Sequence, residues 1–410
     1  PLTAEGIVWS MEYLRDPANR FRFSSLLVDL DKVSADDPYT VRMTTKGPSA
    51  AFLDNLADRY VVVLSKQAFD KGMNLEKESN GTGGFKIQTW DRQKGATLGK
   101  NPQYWMAGRP YLDKIQFFYG FDAAAAIAAF AARKNDVVKV GDKAQFDAIK
   151  ATSPDAVGES FPQNISDHVF PKVDVPPFND PRVRKAMHLA IDRGEMLSTL
   201  SYGLGALNPP GMNGARKGGW SISQEELKQL PGYRLPKDAD IAEAKRLLAE
   251  AGHAGGLKAT MMYDAGFTRY PGEAQMVVSH LAKVGIQLTL DPRETATAQK
   301  AIRDGDYAIS FSQFQYPAES DWTAWLHSKG SLAKSGIKDP ELDRLIEQPY
   351  RELDTEKRKQ MWIAVQRYLL DKLYVIPLIT QVGFLATQPY VHGWGDNRAG
   401  QAVNQSFEST

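Results

Sequence analysis

"LKATMMYDAGFTRYPGEAQMVVSHLAKVGIQLTLDPRETATAQKAIRDGDYAISFS", residues 257–312, alternates between two apolar periods. Its segments LKATMMY, IQLTL and DYAISFS are strand-like, and LKATMMY puts Leu257, Met261 and Tyr263 on one face. The segments between them, PGEAQMVVSHLAKVG and ETATAQKAIRDG, repeat apolar residues at helical spacing, and Gly285 ends the first helix. Strand–helix–strand–helix–strand predicts parallel crossover units, and hence an α/β lobe.

Two loops of this lobe are candidates for a ligand site. In open parallel sheets, ligands bind beyond the carboxyl ends of the strands. That position falls on residues 264–271 (DAGFTRYP) after the first strand and on residues 313–322 (QFQYPAESDW) after the third. Both loops are rich in aromatic and polar residues, as small-molecule clefts are. An ordinary solvent-facing turn is the alternative for either loop.

Arg269 is the most informative residue of the first loop. Its guanidinium offers a planar fork of donors that suits a carboxylate. The sequence places it among Tyr263, Phe267 and Tyr270. We therefore predict that Arg269 binds an anionic ligand group, with a surface salt bridge as the alternative.

Residues 176–203, PPFNDPRVRKAMHLAIDRGEMLSTLSYG, are dense in helix signals. Asp180 is a good N-cap, Pro181 suits the first helical position, and Asp192 begins a second capped helix. Apolar residues recur at helical spacing and form one stripe. The cationic residues fall largely off that stripe: Arg182, Arg184, Lys185 and Arg193. We interpret this stretch as scaffold rather than as a site.

Composition narrows the function class. The 410 residues exceed one ordinary core, and a net charge of +1 gives no reason to expect nucleic acid as a partner. The absence of cysteine excludes disulfides, thiolate catalysis and cysteine metal sites. The six histidines form no His-x-x-x-His pair, so we expect no metal and no cofactor. The most apolar run, residues 123–132, is shorter than the about twenty residues that span a bilayer.

Glu319 and Asp321 lie close together in the second loop and suggest a glycosidase-like alternative. General acid–base catalysis needs two carboxylates on opposite sides of the substrate, a geometry that neighbours in one loop rarely provide. A hydrolase remains the alternative from another functional class. It predicts turnover that is lost when either carboxylate is replaced.

The stretch at 176–203 resembles the signature of the family 5 extracellular solute-binding proteins, the peptide- and nickel-type receptors of ABC importers. Other blocks resemble this family in the same order along the chain. They are PLTAEGIVWSMEYL, AFLDNLADRYVVVLSKQAF, GTGGFKIQTW, LGKNPQYWMAGRPYLDKIQF, ADIAEAKRLLAEAGH, LAKVGIQLTL and the region from DPELDRL to LYVIPL. Together these blocks span nearly all of residues 1–390.

The resemblance implies an α/β fold of the periplasmic-binding-protein type, with two lobes joined by two crossing strands and an extra small subdomain. The subdomain would occupy residues 1–80, the first lobe 81–168, the second lobe 169–378, and 379–410 would return to the first lobe. The family's opening strand and the block before PLTAE are absent, so we expect upstream sequence of the first lobe to be missing. RYVVVLSKQAF and DKIQFFYG are strand candidates in the part before residue 169.

The resemblance also bears on the ligand. Peptide-binding members hold the ligand's ammonium with an acidic residue after the strand equivalent to AISFS, where this chain has Gln315 and Tyr316. A free peptide amino terminus is therefore not expected, and Lys172 together with Arg269 would suit an acidic ligand. The predicted ligand-binding residues are Lys172, Tyr263, Phe267, Arg269, Tyr270, Gln313, Gln315, Tyr316, Asp321 and Trp322.

The predicted function is that of a receptor, not an enzyme. The protein would be periplasmic, or lipid-anchored outside the cytoplasmic membrane, and monomeric. It would enclose a small polar or peptide-like solute by hinge closure and deliver it to the membrane subunits of an ABC permease. A chemosensory receptor of the same fold is a further alternative.

Overall fold

The computed structural model describes residues 2–392 except 20, 22–23, 59, 75–77, 79, 120–121, 142, 164, 216–217, 268, 316–317 and 331–334. Within these residues it describes all side chains except those of residues 25, 315 and 318–321. The described residues fold into an α/β structure in which helices cover sheets. No helix among them is both long enough and apolar enough to cross a membrane.

Helices are distributed along the whole described chain. They are α1 (Ala4–Arg15), α2 (Phe52–Leu56), α3 (Lys66–Asp70), α4 (Ala123–Ala131), α5 (Lys143–Thr152), α6 (Pro181–Ala190), α7 (Arg193–Ser201), α8 (Gln224–Leu227), α9 (Asp238–Glu250), α10 (Tyr270–Ala282), α11 (Thr295–Asp304), α12 (Ala318–Leu326), α13 (Pro340–Arg351) and α14 (Thr355–Lys372), with 3₁₀ turns at Pro17–Asn19 and Ser24–Leu27.

Strands alternate with these helices. They are β1 (Leu30–Asp37), β2 (Thr40–Thr45), β3 (Phe85–Asp91), β4 (Gly95–Lys100), β5 (Lys114–Phe118), β6 (Val137–Val140), β7 (Val157–Pro162), β8 (Ile165–Pro171), β9 (Ala206–Leu207), β10 (Leu257–Asp264), β11 (Ile286–Arg293), β12 (Ile309–Gln315), β13 (Ile376–Pro377), β14 (Ile379–Thr380) and β15 (Val382–Thr387).

The largest sheet has the order β11-β10-β12-β8-β13. Its strands β10, β11 and β12 are parallel, with Leu257 opposite Ile286 and Met261 opposite Ile309. The parallel crossover units predicted for residues 257–312 are thus confirmed. Helix α10 ends as expected before Gly285, whose φ of 90° suits a residue without a side chain.

The chain passes between two sheets at two adjacent places. It leaves the sheet β6-β15-β7 after β7 to enter β8 of the large sheet, and it returns through β13 and β14 to β15. The Gln163 amide donates to the Gln381 carbonyl across these connections at 2.9 Å. We call residues 163, 165 and 380–382 the crossing. The limits predicted for the subdomain and the lobes remain predictions.

The helices of the 176–203 stretch are scaffold. Asp180 caps α6 by accepting from the Arg182 amide at 2.8 Å, and Asp192 caps α7 by accepting from the Glu195 amide at 2.8 Å. Seven of the ten residues of α6 are buried, which leaves little of it for a ligand.

Two of the arginines that fall off the apolar stripe, Arg184 and Arg193, are nevertheless buried. Arg184 donates to the Lys372 carbonyl at 2.9 Å and so ties α6 to the end of α14. Arg193 donates to the Gly232 and Pro377 carbonyls, at 2.6 and 2.8 Å. The backbone groups that need these donors lie far away in sequence, so a helical wheel could not reveal them.

One strand prediction before residue 169 is confirmed and one is wrong. DKIQFFYG contains β5. RYVVVLSKQAF forms no described strand, because residues 62–65 are irregular and Ser65 instead caps α3 by accepting from the Ala68 amide at 3.2 Å. A β-branched run favours a strand only when a neighbouring strand accepts its hydrogen bonds.

Elements α1, α2, α3, β1 and β2 form an N-terminal body with its own core. That core holds Met11, Leu14, Leu27, Leu30, Val33 and Phe52. The cores around the large sheet consist of other residues, which include Leu342, Ile346 and Trp362 of α13 and α14. The N-terminal body is therefore a separate packing unit.

Candidate functional site

The candidate site lies at the carboxyl ends of β10 and β12, next to the crossing. Asp264 ends β10 and shapes the following turn, since its carboxylate accepts from the Gly266 amide at 2.9 Å and from Thr295 Oγ1 at 2.8 Å. The turn leads directly into α10, which begins at Tyr270. Arg269 is thereby held at the strand end that the sequence predicted.

Arg269 is engaged by groups from two other strands. Its Nε and Nη2 donate to the Asp167 carboxylate at 3.2 and 2.9 Å, and Nη2 also donates to Gln313 Oε1. Asp167 lies on β8 opposite Gln313 on β12, so the antiparallel register creates this contact. The Arg269 side chain remains 17% exposed. The side chain is therefore not completely enclosed by protein.

Two aromatic rings pack against the Arg269 guanidinium. Its carbon lies 4.7 Å from the ring centre of Tyr270 and 5.4 Å from that of Phe267. Burial alone would lower the pKa of Arg269, but the Asp167 carboxylate outweighs it, and the pKa lies above its ordinary value. Burial raises the pKa of Tyr270 well above its ordinary range, so its hydroxyl keeps its proton. The cation is permanent and its position is fixed.

Glu273, one helical turn beyond Arg269, adds a second acid. It is fully buried, its Oε1 accepts from Gln381 Nε2, and it lies 3.9 Å from Arg269 Nε. Burial and the neighbouring Asp167 carboxylate raise the pKa of Glu273 well above its ordinary range. Both effects favour the protonated form of Glu273, and Asp167 is the acid to which Arg269 donates directly. We call Asp167, Arg269, Glu273, Gln313 and Gln381 the ionic cluster.

The ionic cluster is continuous with the crossing. Gln381 belongs to it, and Asp167 lies two residues beyond Ile165 on β8. Beside it, Thr380 Oγ1 lies 2.7 Å from Asn208 Oδ1, 3.0 Å from the Ile165 carbonyl oxygen and 3.1 Å from Asn213 Oδ1. A group that binds Arg269 would therefore lie close to the crossing.

The structure does not place Lys172 beside Arg269, so a joint role of the two cations in binding stays a prediction. Lys172 follows the other end of β8, where its amide donates to the Ala308 carbonyl at 2.9 Å. Five residues of strand separate it from Asp167, or roughly 17 Å. Its Nζ lies 3.5 Å from the Asp174 carboxylate. The sequence alone suggested that Lys172 and Arg269 act together. It does not show that the two cations lie near opposite ends of β8.

The second predicted loop is mostly regular structure. Strand β12 continues through Gln315, and α12 begins at Ala318. Trp322 faces the core rather than a cleft, because its Nε1 donates to the Gly211 carbonyl and its ring meets that of Trp362 edge-on at 4.7 Å. A ligand contact of Trp322 stays a prediction, whereas Gln313 lies in the ionic cluster.

Several predicted residues fall on the undescribed part of the second loop. Tyr316 lies outside the described residues, as do the side chains of Gln315, Glu319 and Asp321. Of the first-loop residues, Tyr263 is 7% exposed at the end of β10, while Phe267 and Tyr270 line Arg269.

Sequence reasoning missed Asp167, Glu273 and Gln381. Asp167 had a signal, because a charged residue inside the otherwise apolar strand ISDHVFP needs a partner. Glu273 follows Arg269 at the i,i+4 spacing that brings helix side chains together. Gln381 had no such signal, since only the return of the chain through the crossing brings it near.

The arrangement fits recognition of a ligand better than chemistry on it. The ionic cluster offers one fixed cation, two carboxamides and one fully buried carboxyl, and its other acid, Asp167, is already paired with Arg269. Among the described residues, no group of three or more histidines and acids is arranged to hold a metal ion.

Comparison with known proteins gives consistent results. The family profile described as "Bacterial extracellular solute-binding proteins, family 5 Middle" matches residues 1–333. A curated relative, the glutathione-binding protein GsiB of Escherichia coli O1:K1 / APEC, is 23% identical over 396 residues. That alignment covers 92% of this chain and 74% of the relative.

Solved structures share the fold. The periplasmic binding protein DppA from Helicobacter pylori, in complex with the peptide STSA, has a TM-score of 0.79 at 23% identity, over 99% of this chain and 81% of that one. The murein tripeptide binding protein MppA from Escherichia coli has a TM-score of 0.81 at 20% identity, over 96% and 81%. An unliganded open form of MppA has a TM-score of 0.71 at 20% identity, over 98% and 81%. The two-lobe α/β fold is thus confirmed.

Proposed function

Because the chain belongs to the bacterial extracellular solute-binding proteins of family 5, we propose that it encloses a small polar or peptide-like solute by hinge closure at the crossing. Family membership confirms the predicted role as a solute-binding receptor that works with an ABC importer. Members of this family are extracytoplasmic and are not enzymes, so the hydrolase alternative with Glu319 and Asp321 is set aside.

The finer assignments are part of the proposal. The protein is a monomer without a nucleic-acid partner, and it is periplasmic or lipid-anchored outside the cytoplasmic membrane. Closure of two lobes around a bound solute requires an open state, and MppA has an unliganded open form. A ligand that contacts both sides of the crossing would stabilise the closed state, because only that state makes all of its contacts.

The proposed solute has a carboxylate group. The observation that supports this assignment is the partly exposed side chain of Arg269. Two of its nitrogens hold Asp167, which fixes the direction in which the remaining nitrogen, Nη1, points. A ligand carboxylate would find a preorganised and permanent cation there. Relatives support an acidic, peptide-like class, since GsiB is a glutathione-binding protein and DppA is solved with a peptide.

The first test is native mass spectrometry on protein purified without refolding, to identify any molecule that dissociates at one per chain. Titration calorimetry then follows, with glutathione and its diethyl ester as matched probes. We expect the acid to bind more tightly than the ester, because the ester has no charged carboxylate for Arg269. Equal affinities for the two probes would contradict the carboxylate assignment.

Arg269→Gln should weaken glutathione binding about 10- to 100-fold, since a buried charge-assisted contact is lost. The variant leaves Asp167 unpaired, so Asp167→Asn/Arg269→Gln serves as a neutral version of the cluster, and thermal unfolding is measured on both. Arg246→Gln is the matched control, because that arginine pairs with Glu243 and Glu250 on an exposed helix face. If Arg269→Gln binds as tightly as the parent, Arg269 does not hold the ligand.

A further inference from the structure

The N-terminal body touches the end of α13 through a small set of specific contacts. Arg351 Nη2 lies 3.1 Å from Asp29 Oδ1, and Arg351 Nη1 donates to the Pro48 carbonyl at 3.0 Å. The Ala50 amide donates to the Tyr350 carbonyl at 2.8 Å. We call Asp29, Pro48, Ala50, Tyr350 and Arg351 the latch. Its two sides are about 300 residues apart in sequence, because Arg351 and Pro48 are separated by 303 positions.

Each side of the latch is built into a different core. On one side, Ser49 Oγ donates to Asp29 Oδ2 at 2.6 Å, which orients the carboxylate toward Arg351. On the other side, Tyr350 packs edge-on against Trp362 at 5.6 Å, and its hydroxyl lies 2.9 Å from Thr323 Oγ1. The latch therefore joins two packing units rather than two parts of one.

An apolar groove of about 530 Å³ lies beside the latch. It is lined by β2 and α2 of the N-terminal body and by Leu353, which follows α13. Leu353 is 64% exposed and Leu53 is 75% exposed, although the two line the same groove. A small further approach of α13 would seat Leu353 in the groove and remove both side chains from water.

From these contacts we infer that the latch stabilises the closed form of the molecule independently of the ligand, with Leu353 seated in the groove at full closure. The inference rests on the proposed function, because it takes the N-terminal body and α13 to lie on opposite sides of the closing cleft. The occupant of the groove is thus a segment of the same chain. The Arg351 side chain is half exposed, so the latch is weak enough to open in each cycle.

The test uses the absence of cysteine, which lets two labels be placed without other changes. Asp54 of α2 and Gln360 of α14 are exposed on the two sides of the latch. Spin labels on Asp54→Cys/Gln360→Cys report the distance distribution by electron double resonance, without ligand and with glutathione. We expect Arg351→Gln to shift the unliganded distribution to longer distances, and Arg351→Glu to shift it further because it repels Asp29.

Loss of one half-exposed ion pair and its hydrogen bonds should change the ratio of closed to open molecules about 3- to 10-fold, and weaken glutathione binding by the same factor. Arg344→Gln is the matched control, since Arg344 pairs with Glu341 at 2.5 Å on the same helix. Leu353→Ser should reproduce part of the shift.

If the distance distributions are the same in the parent, Arg351→Gln and Arg351→Glu, the latch does not stabilise the closed form and the inference is overturned. The distances are measured without ligand, so they test the role of the latch in closure even if no probe binds to the protein. Failure of every probe to bind would instead count against the proposed function, and the two failures are therefore distinguishable.

Discussion

His168 lies on β8 within the large sheet, three residues after Ile165 of the crossing. Its Nδ1 donates to the Ser166 carbonyl at 3.0 Å, and its Nε2 accepts from the Gly211 amide at 2.9 Å. Both nitrogens are thus occupied in the neutral form, and the ring meets Phe314 edge-on at 4.8 Å. Burial lowers the pKa of His168 to about 4. Protonation would break the contact with Gly211.

This histidine predicts a loss of stability in acid. Between pH 6.5 and about 4, the unfolded chain binds a proton at this position that the folded chain does not, so stability falls as the pH falls through that window. The full effect is about 3 kcal/mol. His168→Gln, whose carbonyl oxygen can still accept from Gly211, should flatten the dependence. Urea unfolding at pH steps from 7 to 4 measures it, and parallel curves for parent and variant would refute the assignment.

At the scale of elements, α6 and α7 are fixed by buried arginines rather than by their apolar stripes alone. Arg193 is 1% exposed and stacks on Tyr233 at 4.6 Å. Burial lowers its pKa to about 10, so it is charged at neutral pH. Its donors satisfy carbonyls from three separate segments, at His188, Gly232 and Pro377. Arg193 therefore pins α7 to the strand that returns through the crossing.

Arg193→Met should destabilise the protein by about 3–5 kcal/mol, because several buried carbonyls lose their donor together. Arg193→Lys keeps the charge but has fewer donors, so we expect an intermediate loss. Arg182→Met, on the exposed side of α6, should cost less than either. Chemical unfolding of the three variants gives the order, and a loss at Arg193 no larger than that at Arg182 would contradict the pinning role.

Local signals were sufficient to predict α6, α7 and the elements of residues 257–312, and they were insufficient for the site. The caps at Asp180 and Asp192 and the alternation in 257–312 depend on neighbours within a few residues, so the sequence contains them. Asp167 meets Arg269 across 102 positions, and Arg193 meets Pro377 across 184. Those contacts follow from strand order and register, which a single sequence does not reveal. The same reason explains why the sequence did not show that Lys172 lies apart from Arg269.

On the scale of the whole molecule, the two connections at the crossing are joined by side chains as well as by backbone. Asn213 Nδ2 donates to the carbonyls of Gln163 and Ile165, at 2.8 and 3.1 Å, while Thr380 contacts Asn208 and Asn213. These bonds hold the two connections together at the place where the chain passes between the two sheets, which is where we propose that the lobes bend. The crossing is thus a paired pivot and not two loose linkers.

Thr380→Val should loosen this pivot, since it leaves buried amide oxygens without a hydroxyl partner, at a cost of about 1–3 kcal/mol. Thr380→Ser, which keeps the hydroxyl, is the matched control. Hydrogen exchange followed by mass spectrometry should show faster exchange in peptides covering 160–168 and 376–383 in the valine variant alone. Equal exchange in both variants would mean that the backbone pairing suffices.

The position of Asp167 couples the choice of solute to the proposed closing motion, whereas the latch lies apart from the residues that would contact the solute. Asp167 belongs to a strand of the pivot and also aims Arg269, so a substitution that changes the preferred solute also changes how the molecule bends. Arg351 belongs to the latch, which is a different group of residues from Asp167 and Arg269. A sensor built on this scaffold could therefore have its working concentration range adjusted at Arg351 and Leu353 while its choice of analyte stays as it is.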